Sequence, residues 1–191
     1  DVSMLEEMEG IADGAGVDFE DILALNARSE IALAGYTGTS FSDGCTAIAV
    51  TSPIIPETII GQNWDWKPDQ INSLLLLEIE REGNPDITMV TEGGIIGKIG
   101  FNSQGVGVCF NALITDKKSN EVPVHLGLRA VLNSHSLTEA ISKIKGTQMA
   151  SAASFLVGYY DGYVHVMTVN AEVCPFGMDY VGEELGMLVH T

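Results

Sequence analysis

Cys45, Asp65 and Asn111 are the residues whose type and setting could support covalent chemistry. Cys45, in "SFSDGCT", ends a polar, glycine-rich stretch that begins at Gly35, and it directly precedes the β-branched, alanine-rich run "TAIAVTS". A cysteine nucleophile needs thiolate character, hence a base or a positive neighbour. If the peptide bond before it is cut, the nucleophile carries its own base, an α-amine with an ordinary pKa of ~7.7–8.0. That is near the pH at which a general base is most useful. Gly44 leaves the scissile carbonyl open, the linker lets it approach the thiol, and the strand fixes the new terminus. The plainer reading is a linker ending in a small buried cysteine, and this stretch alone favours it.

Two further stretches carry candidates. In "GQNWDW", residues 61–66, alternation puts Asn63 and Asp65 on one face and Trp64 and Trp66 on the other. Asp65 reads either as a surface residue or Asx turn before "KPDQ", or as a buried carboxylate facing a cation, the new α-amine or a substrate ammonium. In "FNSQGVGVCFNAL", Asn102 suits a turn, and Asn111 lies near the end of an apolar strand. Its amide must find partners if buried, and it could serve as an oxyanion donor. Cys109 shares a face with Asn111 but has no base nearby in sequence, so it reads as core.

Other stretches point away from chemistry. "TEGGIIGKIGFNSQG" is glycine-rich, but Lys98 is followed by Ile99 rather than Ser or Thr, so it is no phosphate loop. Turns and bulges between strands explain its glycines. His125, His135, His165 and His190 show no metal-ligand spacing and read as structural. A Cys–His dyad with Cys45 has no local signature. Three cysteines (Cys45, Cys109, Cys174), widely spaced, suggest neither a disulfide framework nor a zinc site. No metal or cofactor is expected.

The elements that must position these residues follow from periodicity and turn signals. Residues 2–13 and 18–33 read as helices, the second capped by Asp18 with Ile22, Leu25 and Ala32 or Leu33 on one face. Strands follow Cys45: "TAIAVTS", "TIIGQNWD", "SLLLLEIER", "ITMVTEGG", and a hairpin with "NSQG" at its tip. Residues 123–145 return to helix, with Leu126, Ala130 and Val131 as one stripe. Ser136 and Glu139 form a capping box for a second helix, which ends at Gly146. "SFLVGYY" and "YVHVMTVN" then flank a "DG" turn. Helices, strands, helices, strands suit an α+β domain with antiparallel meanders.

The chain has 191 residues, enough for one sizeable core. It carries 26 acidic and 9 basic residues, a formal charge of −17, which disfavours a nucleic-acid partner. Residues 1–44 hold 10 acids against one Arg, and the rest hold 16 against 8 bases, so the segment before Cys45 is a distinct acidic unit. No apolar run is long enough to cross a membrane as a helix. A start at Asp1 and a stop in the strand-like "GMLVHT" suggest truncation at both ends.

Taken together, "DGCTAIA", "GQNWDW", "EGGIIGKIGFNSQGVGVCFNAL", "MASAASFLVG" and "MLVHT" resemble, in the same order, the acyl-coenzyme A:6-aminopenicillanic acid acyltransferase family. These are isopenicillin N acyltransferase-like proteins of the N-terminal-nucleophile hydrolase superfamily. The resemblance covers nearly the whole chain. It implies a four-layer αββα sandwich, with residues 1–44 as part of a helical pro-segment and residues 45–191 as part of the catalytic domain. Family precursors cut themselves at a Gly-Cys bond, here Gly44–Cys45, which would make Cys45 the N-terminal nucleophile. As one continuous chain, this form reads as the uncut precursor.

The resemblance also implies that Asp65 holds the nucleophile's amine or the substrate, that Asn63 and Trp64 beside it contact the substrate, and that Asn111 helps form the site. The family's oxyanion Asn would follow Thr191, a substrate-contacting arginine would lie further on, and the usual pro-segment exceeds 44 residues. The expected substrate is a small amide or acyl-thioester, with acyl-coenzyme A as a possible co-substrate, the acyl group passing to an amine or water. The cut pro-segment is an expected partner; the sequence leaves the compartment open, with an intracellular setting, cytoplasmic or peroxisomal, as the expectation. Two other readings remain: a linear-amide hydrolase with no β-lactam role, and an inactive fragment or partner-binding relative.

Overall fold

The computed structural model describes residues 2–34, 44–113, 119–169, 180–182 and 187–190. Residues 35–43, which hold most of the predicted linker, and Cys174 lie outside the described residues, as do the side chains of Leu33, His165 and His190.

Three helices come first: α1 (Val2–Ala15), α2 (Phe19–Asn26) and α3 (Arg28–Ala34). The single helix expected over 18–33 is therefore two, broken at Ala27. Asp18 does hold the N-cap position of α2, but its side chain makes no capping bond. Ile22 is buried there, whereas Leu25 and Ala32 are exposed.

All strand pairings within the sheets are antiparallel. A three-stranded sheet has the order β10 (Met187–His190), β1 (Cys45–Val50), β2 (Ile59–Trp64). A seven-stranded sheet runs in chain order: β3 (Leu74–Ile79), β4 (Ile87–Glu92), β5 (Ile99–Asn102), β6 (Val106–Ala112), β7 (Ala153–Tyr159), β8 (Val164–Val169), β9 (Tyr180–Gly182). This is the expected meander: short turns join β3 to β4, β5 to β6 and β7 to β8, as adjacent antiparallel strands allow, whereas β6 and β7 pair across the long helical insertion 113–152. A 3₁₀ turn over Pro68–Ser73, which periodicity did not reveal, precedes β3.

The seven-stranded sheet is covered on both faces at its centre. Val106, Val108 and Phe110 of β6 point to one side, where they join Phe155 and Val157 of β7 against α4 (Val124–Leu132) and α5 (Leu137–Gly146). Each such fully buried apolar side chain contributes roughly 1.5–3 kcal/mol. Cys109 points the other way and joins Leu156, Ala47 and Ala49, so the two sheets meet face to face. Gly107 and Gly158 pair across β6 and β7. A Cβ on either would lie 2.6–2.7 Å from Ile60, so this glycine pair lets β2 approach.

The helical stretch 123–145 is two helices, as expected. Ser136 Oγ accepts from the Glu139 backbone N–H, while the Glu139 carboxylate takes the backbone N–H of His135 rather than that of Ser136. The single stripe expected on α4 is two. Val124, Leu128, Val131 and Leu132 face the sheet, whereas Leu126 and Ala130 pack on Met4, Met8, Ile22 and Ile96. The N-terminal helices therefore sit on α4 and on the loop after β4. No helix among the described residues is long and apolar enough to cross a membrane.

Candidate active site

Cys45 is the first residue of β1, partly buried, and its register partner on β2 is Trp64. Residues paired across antiparallel strands share a face, so Cys45, Trp64 and Gln62 all look toward the seven-stranded sheet. Gln62 reaches it: its amide donates to the Phe110 carbonyl at 2.5 Å and accepts the Phe110 N–H at 2.7 Å. It fills the edge of β6 near the point where β5 begins, a join between the sheets that a backbone would otherwise make. Asn111, next on β6 and buried, donates to the main-chain carbonyl of Cys45 at 2.7 Å.

The Gly44 carbonyl accepts the main-chain N–H of Asp65 at 3.0 Å. The Asp65 carboxylate lies against Gly44, since a Cβ there would be 3.5 Å from its Oδ2. Asp65 is exposed, not buried. Asn63 shares that exposed face, opposite Cys45, so of the residues expected to contact substrate only Trp64 lies on the thiol's side of β2.

Burial raises the Cys45 thiol's pKa, hydrogen bonds from the Gln62 side chain and the Asp65 backbone offset this in part, Lys98 also lowers it, and Asp65 raises it. Cys109 is core, with burial pushing it up to about 12. His125 is also structural. It is fully buried, its Nδ1 donates to the Gly97 carbonyl at 3.0 Å, and Ser29 Oγ lies 3.4 Å from Nε2. Among the described residues no group of three or more His, Cys, Asp or Glu could hold a metal ion.

Beside this site lie Arg28 and Glu92, which the sequence reading did not single out, and Lys98, which it named only to set aside a phosphate loop. Lys98 is buried, and its ammonium is 4.3 Å from the centre of the Trp64 ring and 3.1 Å from Glu92 Oε2. Arg28, from α3, pairs with both oxygens of the buried Glu92 and lies 5.3 Å from the centre of the Trp66 ring. Trp64 and Trp66 stack at 6.4 Å. Lys98 titrates at about 8, lowered by burial and then by Arg28, with Glu92 and Cys45 acting in the opposite direction. The available signal was a lone cation inside the apolar run "GGIIGKIG", since a buried lysine needs an anion. Gln62 stood inside a quoted motif, but nothing local marked its reach.

The segment before Cys45 supplies more than Arg28. Asn26 donates to the Gly94 carbonyl at 2.8 Å and accepts the Ile96 N–H at 3.0 Å. Glu30 accepts the Val124 N–H at the start of α4 and the Ser151 hydroxyl. Glu7 holds the fully buried Arg129 through two bonds of 2.6–2.7 Å.

The sequence model of the family described as acyl-coenzyme A:6-aminopenicillanic acid acyl-transferase matches residues 56–191. The "Acyl-coenzyme A:6-aminopenicillanic-acid-acyltransferase 40 kDa form" of Emericella nidulans is 38% identical over 190 residues, covering 97% of this chain and 50% of that protein. "Protein dcd1A" of Dictyostelium discoideum is 24% identical over 157 residues, covering 74% of this chain and 34% of that protein. The chain thus spans half or less of the length of these relatives. Penicillin V acylase from Agrobacterium tumefaciens is a solved structure with a TM-score of 0.40 at 9% identity, over 76% of this chain and 43% of that one. The match over most of the chain and the 38% identity place the protein in the acyl-coenzyme A:6-aminopenicillanic acid acyl-transferase family.

Proposed function

We propose that the full-length protein cuts itself between Gly44 and Cys45 and then works as an N-terminal cysteine amidohydrolase or acyltransferase. The observation that carries this is the Gly44 carbonyl, polarised by the Asp65 N–H at 3.0 Å on the residue adjoining the candidate thiol. A donor at that range is suited to a developing oxyanion. In the first stage the Cys45 sulfur attacks the Gly44 carbonyl carbon. The Gly44–Cys45 C–N bond breaks, the thiol proton passes to the departing amine, and water hydrolyses the thioester to a Gly44 carboxylate and a free thiol. Asn111 holds the Cys45 carbonyl, which keeps the residue in place while its nitrogen leaves.

In the second stage the freed α-amine is the base. The thiol is held protonated by burial in the uncut form, so activation by a new amine suits it. Cys45 attacks an amide or an acyl-thioester such as acyl-coenzyme A, an S-acyl enzyme forms, and an amine or water takes the acyl group. Asp65, beside Gly44, receives the freed ammonium or a substrate ammonium, and Trp64 flanks the thiol. The cut N-terminal segment stays bound through Glu7–Arg129, Arg28–Glu92 and Asn26. The two stacked sheets, with α4 and α5 outside one of them, form part of a four-layer αββα sandwich in this reading.

The test is a denaturing gel of the full-length protein. Wild type separates into two pieces joining at Gly44–Cys45, and Cys45→Ala stays whole. An uncut wild type, or equal cutting of the variant, sinks the proposal. Released acid against transferred acyl group, with and without an acyl-coenzyme A, then separates hydrolase from transferase.

A further inference from the structure

The cluster beside Cys45 has an uneven charge count. Arg28 and Lys98 supply two cations, and Glu92 is the carboxylate that both contact. Arg28 already engages both Glu92 oxygens, and Lys98 shares Oε2. Lys98 is only 2% exposed, so water does little to stabilise its charge. The Trp64 ring face offers a cation–π contact, which attracts the ammonium without neutralising it. Trp64 is the cross-strand partner of Cys45, so the ammonium lies against the side chain that neighbours the sulfur on the adjacent strand.

We propose that Lys98 is a positioning residue for the Cys45 sulfur: its ammonium, in excess of what Glu92 neutralises, is the counter-charge for anionic sulfur at Cys45. This rests on Cys45 as the nucleophile. It adds a residue that acts through the nucleophile, contributed by a loop that the N-terminal segment holds in place.

Every charged or titratable group near the ammonium bears on the argument. Glu92 favours the protonated amine, and the like charge of Arg28 disfavours it. Cys45 favours it, and Lys98 in turn favours the Cys45 thiolate. His125, on α4, is neutral at working pH, and Asp65 acts against the thiolate from the exposed side. Arg28 thereby sharpens the device. By occupying Glu92 it leaves Lys98 without a full partner, and the sulfur becomes the next anion available.

The test is the pH dependence of Cys45 alkylation by iodoacetamide in the full-length protein, followed by mass spectrometry of the peptide that contains Cys45. The peptide spanning Gly44–Cys45 reports uncut chain, the one starting at Cys45 reports cut chain, and each is compared with its own kind. In Lys98→Met the rate at neutral pH should fall about tenfold, its midpoint moving up by about one unit, because the thiolate fraction falls with rising thiol pKa. Lys98→Arg should stay close to wild type. Arg28 still satisfies Glu92 in Lys98→Met, which favours folding, and Lys98→Gln is read the same way if that variant does not fold.

Superimposed profiles for wild type and the neutral variant overturn the proposal. So does a Lys98→Arg profile displaced as far as Lys98→Met, which would show shape rather than charge to be at work. Failure of self-cleavage is a separate outcome, read on the gel. It removes the nucleophile's role and leaves the charge coupling measurable at the same thiol.

Discussion

The side-chain amide of Asn111 donates to the main-chain carbonyl of Cys45 across the interface of the two sheets, at 2.7 Å. The residue that opens β1 is thus fixed by β6, and not only by its own sheet. In Asn111→Ala the Cys45 carbonyl loses this partner, and leaving such a group unpaired costs about 1–3 kcal/mol. Urea unfolding should register that loss. Cutting at Gly44–Cys45 should slow more than tenfold on a gel time course, even at temperatures where the variant is fully folded. An unchanged cutting rate would leave Asn111 with a structural role alone.

Glu7 and Arg129 tie α1 to α4. Arg129 is fully buried and also donates to the Ile96 carbonyl and to Asn133 Oδ1. Removing one partner of such a pair strands the other charge, at about 3 kcal/mol. Glu7→Ala should show that loss in urea unfolding, and Arg129→Met added to it should restore part of the stability. A double variant no better than Glu7→Ala would contradict the stranded-charge account.

His125 makes stability sensitive to acid. It titrates at about 3 when folded, against an ordinary 6.5, chiefly through burial, with Lys98 and Arg28 adding to the effect. The unfolded chain therefore takes up the proton first as pH falls. The contribution is complete above about 6.5 and is lost progressively toward about 3, at a slope approaching ~1.4 kcal/mol per pH unit. Urea unfolding at pH 7, 6, 5 and 4 should show His125→Gln losing stability less steeply than wild type. Parallel slopes would rule this histidine out as the source.

Gly97 has no room for a side chain. A Cβ there would run into the His125 carbonyl and sit 2.7 Å from the Arg129 nitrogen, both on the backbone of α4. Gly97→Ala should cost about 3 kcal/mol through overpacking and displace Lys98 next to it. Gly93→Ala, where a Cβ meets nothing within 4 Å, is the control and should change little. Thermal unfolding of the two variants makes the comparison.

The order of elements was legible because turn signals punctuate short strands: "EGNPD", "NSQG" and "DG" each fall between strands that pair. Cys109 and His125 behave as core, as their sequence settings suggested. The break at Ala27 was hidden, since nothing near it forbids a helix. The two-faced burial of α4 was hidden too, because one stripe faces the sheet and the other faces helices from the far N-terminus. The Arg28–Glu92 pair joins residues 64 positions apart. Local periodicity carries no trace of such a pair, so the cation cluster could be found only after folding brought the segments together. Asp65 was singled out for the right neighbourhood, beside Gly44, though its carboxylate is exposed rather than buried.

The position of β1 between β2 and β10 sets a clock on the proposed self-cutting. One flank of the cysteine's strand is supplied almost at once, by residues 59–64, but the other is supplied by residues 187–190. A ribosome adding ~5–20 residues per second needs several seconds or more to make the chain between them. Until then the thiol sits on a strand with an open edge. The N-terminal helices, made first, wait only for the loop after β4 and for α4, which are complete more than 50 residues before β10. Self-cutting that depends on a fully flanked β1 would start only after that interval, so nascent chains stalled before residue 187 should remain whole.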